Sequence, residues 1–278
     1  MKALDLDSII KTVNDLPSLP HLVVKIMQLT DNPHVTARDI NEVLSQDQGL
    51  VAKVLRMANS AYYGFSRHIS TVTDAVICLG FKTVRSIVMA ASVNDLLNRE
   101  LKGYGLNKGY LWKHSQDTAA AARLIAMQNC PDVDCEVAYT AALLHDIGKI
   151  ILDAPMRDLY AEVLSTASQN NISFYDAETK VLGFNHALAG SRVVERWNLP
   201  AELVESIAFH HTPEQAVLNP KLAALLCFSN ALTISLVNDT PTDLPSPPYS
   251  LSVIKLLDLD ELAAHQIAFE IKDLLTKV

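Results

Sequence analysis

Apolar residues recur along this chain at intervals of three and four, the period of a helix with one buried face. The pattern predicts a short helix near 5–14, ended by the turn Leu16-Pro17-Ser18-Leu19-Pro20, and a second over 21–30, stopped by Asp31-Asn32-Pro33. Thr36 is placed to cap a third, with Ile40, Val43 and Leu44 as its stripe. Gln48 to Ser60 repeats the pattern through Leu50, Val51, Val54, Leu55 and Ala58, before a loop at Ala61-Tyr62-Tyr63-Gly64-Phe65. Thr73 reads as the next cap, and Gly80 as a break ahead of Lys82 to Leu97. Further helices are expected over 110–129, 135–153, 158–169, 174–182, 185–197, 200–210, 220–237 and 260–276. Pro241 to Pro248 reads as a surface loop. No segment carries strand periodicity, so the expected fold class is all-α, a multi-helix bundle. Asn98 to Gly109 holds three of the nine glycines and marks a boundary between an N-terminal helical lobe, 1–97, and a second lobe, 98–278. The two lobes are expected to pack together. The tail is expected to fold back through Ile254, Leu257, Leu262, Ile267, Ile271 and Leu274.

Composition agrees with a helical globule. Hydrophobic residues make up 49% and charged residues 19%, which excludes a disordered chain, and only 9 of 278 residues are glycine. The net charge of −8 argues against a general grip on nucleic acid or anionic membrane. All of it lies beyond residue 98, because 1–98 carries nine charges of each sign. A local basic excess, Lys53, Arg56, Arg67, Lys82 and Arg85 against Asp74, reads as a solvated helix face. Residues 36–46 and 48–60 superficially suggest helix-turn-helix, but the second helix lacks a face of Arg, Lys, Asn and Gln for base edges. Nucleic acid is therefore not an expected partner. Cys78, Cys130, Cys135 and Cys227 form no CxxC pair. The opening MKALDLDSII has no apolar export segment, and the most apolar stretch, Leu222 to Val237, is too short and too interrupted to span a bilayer. A cytoplasmic protein with reduced thiols and no membrane anchor is expected.

Chemistry concentrates in the histidines. His114, His145, His186, His210 and His211 are five of the nine, within 98 residues. His145-Asp146 interrupts an apolar run, Ala141-Ala142-Leu143-Leu144 before it and Ile147-Gly148-Lys149-Ile150 after. An imidazole and a carboxylate buried there need partners, which a metal ion or a hydrogen-bond network would supply. On one helix adjacent side chains diverge by about 100°, close enough to grip a single ion. His114 sits on the preceding long helix, His186 opens a helix after Gly183-Phe184-Asn185, and His210-His211 ends another before Thr212-Pro213. Imidazoles with one carboxylate suit iron, manganese, zinc or nickel better than calcium. His21, His34, His68 and His265 have no comparable setting.

Leu143-Leu144-His145-Asp146-Ile147-Gly148-Lys149 resembles the signature of the HD superfamily of metal-dependent phosphohydrolases. The chain as a whole resembles the HDOD domain, the HD-related output domain of bacterial signalling proteins. The likeness runs from Leu16-Pro-Ser-Leu-Pro20 through Ile40 to Asn59, Ser60-Ala-Tyr-Tyr-Gly64, Ile69-Ser70 and Asp74-Ala75-Val76 with Leu79-Gly80, and ends near Val237. It implies that 98–278 is an HD-like helical core with a C-terminal helical tail. It also implies a ligand set: His114 as the first His, His145 and Asp146 as the pair, and His186, His210 and His211 as the further histidines of the related HD-GYP phosphodiesterases. Lys149 falls where those enzymes carry a lysine near the substrate phosphate, which gives Asp146 and Lys149 catalytic roles if the protein turns over. Asn230 stands where the family has its last metal-binding Asp, and His210-His211-Thr212 replaces an HHE run. A neutral oxygen at Asn230 weakens the hold on a divalent ion. The resemblance therefore implies first a regulatory module of signal transduction that acts on a protein partner or senses a ligand. Its alternative is a metal-dependent phosphohydrolase acting on a nucleotide or cyclic dinucleotide.

Overall fold

The computed structural model describes residues 6, 19–60, 68–237 and 249–277. Most of the expected helix at 5–14, most of the turn at 16–20, and the loops at 61–65 and 241–248 lie outside them. Among the described residues the chain is helical throughout, and a single bridge between Leu101 and Leu106 is the one extended pairing. The fold class is all-α. No helix among the described residues is long and apolar enough to cross a membrane.

The chain divides into two compact units, Pro17–Asp95 and Leu96–Lys277. The first holds α1 (His21–Thr30), α2 (Ala37–Leu44), α3 (Gln48–Ala58), α4 (Val72–Leu79) and all but the end of α5 (Phe81–Leu97). Short polar side chains start these helices. Thr36 and Asp39 form a reciprocal capping box on α2, and Asp47 accepts from the Leu50 N–H at 2.9 Å to start α3. The cap of α4 is Thr71 rather than Thr73: its hydroxyl accepts from the Asp74 N–H at 3.0 Å, which places Thr73 inside the first turn. Gly80 ends α4 at φ 82°, a conformation that favours glycine. Asn59 ties the end of α3 to Ile69, accepting from the Ile69 N–H at 2.7 Å and donating to the Leu55 and Ile69 carbonyls at 2.8 Å each. Lys53 and Arg85, two members of the basic excess, are paired with Asp95 and Asp31.

The second unit contains α6 (Tyr110–Asn129), α7 (Cys135–Leu144), α8 (Gly148–Asn170), α9 (Phe174–Leu182), α10 (His186–Arg196), α11 (Ala201–Ala208), α12 (Pro220–Val237), α13 (Leu251–Leu256) and α14 (Glu261–Lys277). The core is small and aliphatic: α6 packs on α7 and α12 through Ala119, Ala121, Ala122 and Ile125. The glycine-bearing stretch 98–109 belongs inside this unit. Gly103 donates its N–H to Asp153 Oδ1 at 2.7 Å, and a Cβ there would lie 2.0 Å from the Asp153 carbonyl. Two expected helices, 135–153 and 158–169, are redistributed. The chain breaks at His145–Ile147, and α8 then runs unbroken through Pro155 to Asn170. Pro155 removes one intrahelical donor, yet its neighbour Met156 is fully buried and holds the helix in place. The tail adds the unexpected helix α13, and α13 and α14 lie against α12. Ile254, Leu257, Ile267 and Ile271 are buried, whereas Leu262 is exposed. Lys221 on α12 bridges Asp132 at 3.0 Å and Asp258 at 2.8 Å, tying the α6–α7 turn and the tail to one ammonium.

Candidate metal centre

The His145-Asp146 pair lies on the turn between α7 and α8, not on a continuous helix. The Ile147 N–H closes the turn on the Leu144 carbonyl at 3.0 Å, and Lys149 N–H bonds to the Asp146 carbonyl at 3.0 Å. Gly148 then lets α8 meet α10 backbone to backbone: a Cβ there would fall 1.9 Å from the His186 carbonyl and 2.5 Å from Gly190 N. That approach sets His186, the first residue of α10, against the pair. Asn185 fixes the start of α10 by accepting from the Leu188 N–H at 2.9 Å.

Asp146 is the hub. Its Oδ2 lies 3.5 Å from Nε2 of both His114 and His145 and 2.6 Å from Lys149 Nζ, and its Oδ1 lies 3.3 Å from His186 Nε2. The His210 ring stacks edgewise on His145 at 5.0 Å, and the His210 and His211 rings are 4.1 Å apart. His211 Nε2 is within 3.0 Å of His186 Nε2. Asn230, on α12, stands beside His114. The structure thus brings together every residue that the sequence put forward: His114, His145, Asp146, Lys149, His186, His210, His211 and Asn230.

Backbone and carboxylate acceptors set the imidazole tautomers. His145 Nδ1 faces the Ala142 carbonyl at 2.6 Å and His210 Nδ1 the Ile207 carbonyl at 2.7 Å, so each Nδ1 carries the proton and each Nε2 turns a lone pair inward. His186 is oriented by Glu178, whose Oε2 accepts from Nδ1 at 2.5 Å and from the His186 backbone N–H at 3.0 Å. Tyr104 in turn donates its hydroxyl to Glu178 Oε1 at 2.7 Å. Sequence reading missed both residues. In α9, Glu178 sits between the buried Ala177 and Leu182, and only that burial marks it off from a solvated acid.

Four of the polar atoms at the centre, His145 Nε2, Asp146 Oδ1, His210 Nε2 and Asn230 Oδ1, are buried without a hydrogen-bond partner. A lone orphan is unusual in a protein interior, and four in one place form a donor set that could hold a cation. The donors form two groups, His114–His145–Asp146 and His186–His210–His211, with ligand atoms within 4.8 Å of one another in each. Imidazole nitrogens with one carboxylate fit a divalent transition ion.

Across residues 16–213 the sequence matches the family pattern of the HDOD domain. The chain belongs to the HDOD domain family. An HDOD domain protein from Geobacter sulfurreducens superposes with a TM-score of 0.77 at 26% identity, covering 98% of this chain and 94% of that one. A Shewanella amazonensis protein described as a candidate phosphohydrolase superposes with a TM-score of 0.72 at 24% identity, covering 96% of this chain and 98% of that one. A Treponema pallidum protein is 26% identical over 235 residues, 84% of this chain and 45% of that protein. The chain spans less than half the length of the curated relatives it matches.

The electrostatics of this HDOD centre keep its donor groups in the protonation forms that could bind a cation. Burial pushes the His114 imidazole down to about 3, and it lowers His145, His210 and His211 as well. Neighbouring imidazoles add to the effect of burial on His210 and His211. These rings are neutral at physiological pH, as metal ligation requires. Burial opposes ionisation of Asp146, but Lys149 and the histidines outweigh it and hold the carboxyl well below its ordinary range. Glu178 is buried too, and His186 and Tyr104 keep it ionised.

Proposed function

We propose that this HDOD protein is a cytoplasmic regulatory module of bacterial signal transduction. In this reading its histidine centre holds a divalent ion, and a signalling protein partner reads the state of the domain. His114, His145, Asp146, His186, His210 and His211 are the ligands, with Asn230 contributing a neutral oxygen. Iron, manganese, zinc or nickel are the ions that this donor set suits. Four free cysteines fit a reducing compartment.

The observation that carries the regulatory reading is the charge at the centre. Asp146 is the one carboxylate among its ligands, and Lys149 already neutralises it at 2.6 Å. Two divalent ions would bring four positive charges to ligands whose own charge sums to zero with Lys149. A single carboxylate, already paired with Lys149, suits one held ion better than the ion pair clamped in two-metal phosphodiester hydrolysis. The decisive measurement is the metal content of protein purified without added metal or chelator, beside His145→Ala. Near-stoichiometric iron, manganese, zinc or nickel, lost in the variant, supports the reading. Metal-free protein that stays metal-free after reconstitution overturns it.

Lys149 supports a second reading, a metal-dependent phosphohydrolase acting on a nucleotide or cyclic dinucleotide. A bound divalent ion supplies Lewis-acid polarisation of a phosphoryl oxygen. The chain's own contribution is the Lys149 ammonium, held at the centre by Asp146, where it stabilises negative charge developing on phosphate. Hydrolysis of either substrate class by metal-reconstituted protein, abolished in Lys149→Met and His145→Ala, selects this reading. Its absence leaves the regulatory one.

A further inference from the structure

Between α5 and α6 the chain passes from the first compact unit into the second through a short segment, 101–106, that is closed on itself. The Leu101 N–H donates to the Leu106 carbonyl at 2.9 Å, the Leu106 N–H returns to the Leu101 carbonyl at 3.0 Å, and the Tyr104 N–H joins the same carbonyl at 3.1 Å. Two further bonds pin the segment to the body of the second unit. The Gly103 N–H meets Asp153 on α8, and the Tyr104 hydroxyl donates to Glu178 Oε1 on α9. Tyr104 is 5% exposed and its ring lies 6.1 Å from that of Phe174, so the hydroxyl leaves Glu178 only when the segment itself opens. Glu178 gives its other oxygen, Oε2, to both Nδ1 and the backbone N–H of His186. One buried carboxylate therefore joins the peptide between the units to a donor residue of the candidate metal centre.

Opening 101–106 withdraws the Tyr104 hydroxyl and leaves a buried carboxylate oxygen short of a partner, which is costly. The cost depends on how firmly Glu178 is held. A carboxylate free to turn can pair again, and one fixed by His186 cannot. An ion on His186 Nε2 fixes the ring and strengthens the bond from Nδ1–H to Glu178. We propose that segment 101–106 reports the state of the histidine centre: through His186, Glu178 and Tyr104, an ion bound at the centre holds the segment closed, and a metal-free centre lets it open. This rests on the reading that the centre holds an ion, and it adds where in the chain that occupancy is felt. The effect is reciprocal by linkage, so protein with the segment open holds the ion more weakly. Glu178 and Tyr104 are positioning residues in this scheme, since each acts through His186.

The measurement is backbone hydrogen exchange of the full chain, metal-free and loaded with zinc or manganese in separate samples. Loading is expected to slow exchange over 101–106 about threefold or more and to leave α2, in the first unit, unchanged. Tyr104→Phe keeps the ring and removes the hydroxyl. It is expected to take up the ion, to slow at the His186 amide as wild type does, and to show no slowing over 101–106. A purely structural loss would speed exchange in both samples alike and keep their ratio. Gly105 stands at φ 63°, a conformation that resists a side chain, and a Cβ there would lie 3.6 Å from the Tyr160 hydroxyl, clear of the centre. Gly105→Ala is expected to speed exchange over 101–106 and to weaken the ion about threefold in a competitive chelator titration. The proposal is overturned if loading leaves 101–106 unchanged, if Tyr104→Phe retains the slowing, or if Gly105→Ala opens the segment yet binds the ion as wild type does. Failure of the metal reading looks different. Protein that takes up neither ion sinks that reading, and the joint is then read in the metal-free chain. There Glu178→Gln speeds exchange over 101–106 if the joint exists and leaves it unchanged if it does not.

Discussion

Glu178 shows how a side chain outside the metal centre sets the geometry inside it. It is fully buried, accepts from His186 twice and from Tyr104 once, and so fixes both the tautomer and the ring plane of His186. Outer carboxylates of this kind are worth about 10–100-fold in metal affinity. Glu178→Gln keeps the shape but offers an NH2 where two donors now converge, and a loss of that size is the expected outcome in a competitive chelator titration. Tyr104→Phe, which removes only the outer hydroxyl, should cost less. Asn230→Asp works in the opposite direction. A second carboxylate beside His114 and Asp146 should tighten ion retention against chelator tenfold or more, while like-charge repulsion lowers the unfolding midpoint of the metal-free protein. Equal retention in the variant would mean that Asn230 is not a ligand. At this scale the sequence was informative for one kind of residue. Clustered histidines and an Asp in an apolar run have few inexpensive explanations, so the centre could be read from residue type. Glu178 could not be read that way, because one acid on a helix looks like solvated surface until its neighbours are seen to be buried.

At the scale of helices, the break at 145–147 is the feature that organises the site. Leu143, Leu144, Ile147, Ile150 and Ile151 keep helical spacing straight across it, so periodicity predicted one helix where there are two. What interrupts the helix is tertiary: α8 must press its first residue onto α10, and only glycine permits that approach. Gly148→Ala would drive a methyl into the His186 backbone, where no flexible side chain can yield. The expected cost is about 3 kcal/mol or more, at the upper end for overpacking, read as a drop in denaturation midpoint together with loss of bound metal. An unchanged midpoint would contradict the packing described here. The interruption expected between 153 and 158 is absent as well, because the buried face of α8 carries the helix through Pro155. Thr71 and Thr73 differ only in which one has Asp74 three residues ahead, the spacing that closes the cap.

Across the whole molecule, acid should be the main threat to the metal-free protein. His114, His145, His210 and His211 have folded pKa values below the ordinary 6.5, so the folded state resists the protons that the unfolded chain accepts. Their contribution is intact above pH 6.5 and falls as pH drops through that value, in the case of His114 down to about 3. Each adds a slope of about 1.4 kcal/mol per pH unit inside its window. Asp146 and Glu178, with depressed pKa values, contribute stability above their ordinary range and lose it below, so carboxylates and imidazoles act in the same direction. Urea midpoints measured from pH 8 to pH 5 should be flat at first and then fall steeply below about 6.5. A flat profile to pH 5 would show that the rings are not buried as described. The all-α class was plain from periodicity and scarce glycine, because both are properties of the whole chain. Gly103 serves close packing inside the second unit rather than a joint between units.

The residues around Asp146 come from positions as far apart as His114 and Asn230, on separate helices and turns. In polymer terms an ion held there is a reversible cross-link, closing several long loops at one point, and it acts only on the folded chain. At a free concentration one hundred times its dissociation constant it would add about 2.7 kcal/mol to the stability of the unit. A partner bound elsewhere on that unit could then register the ion as a change in stiffness, with no need to touch it.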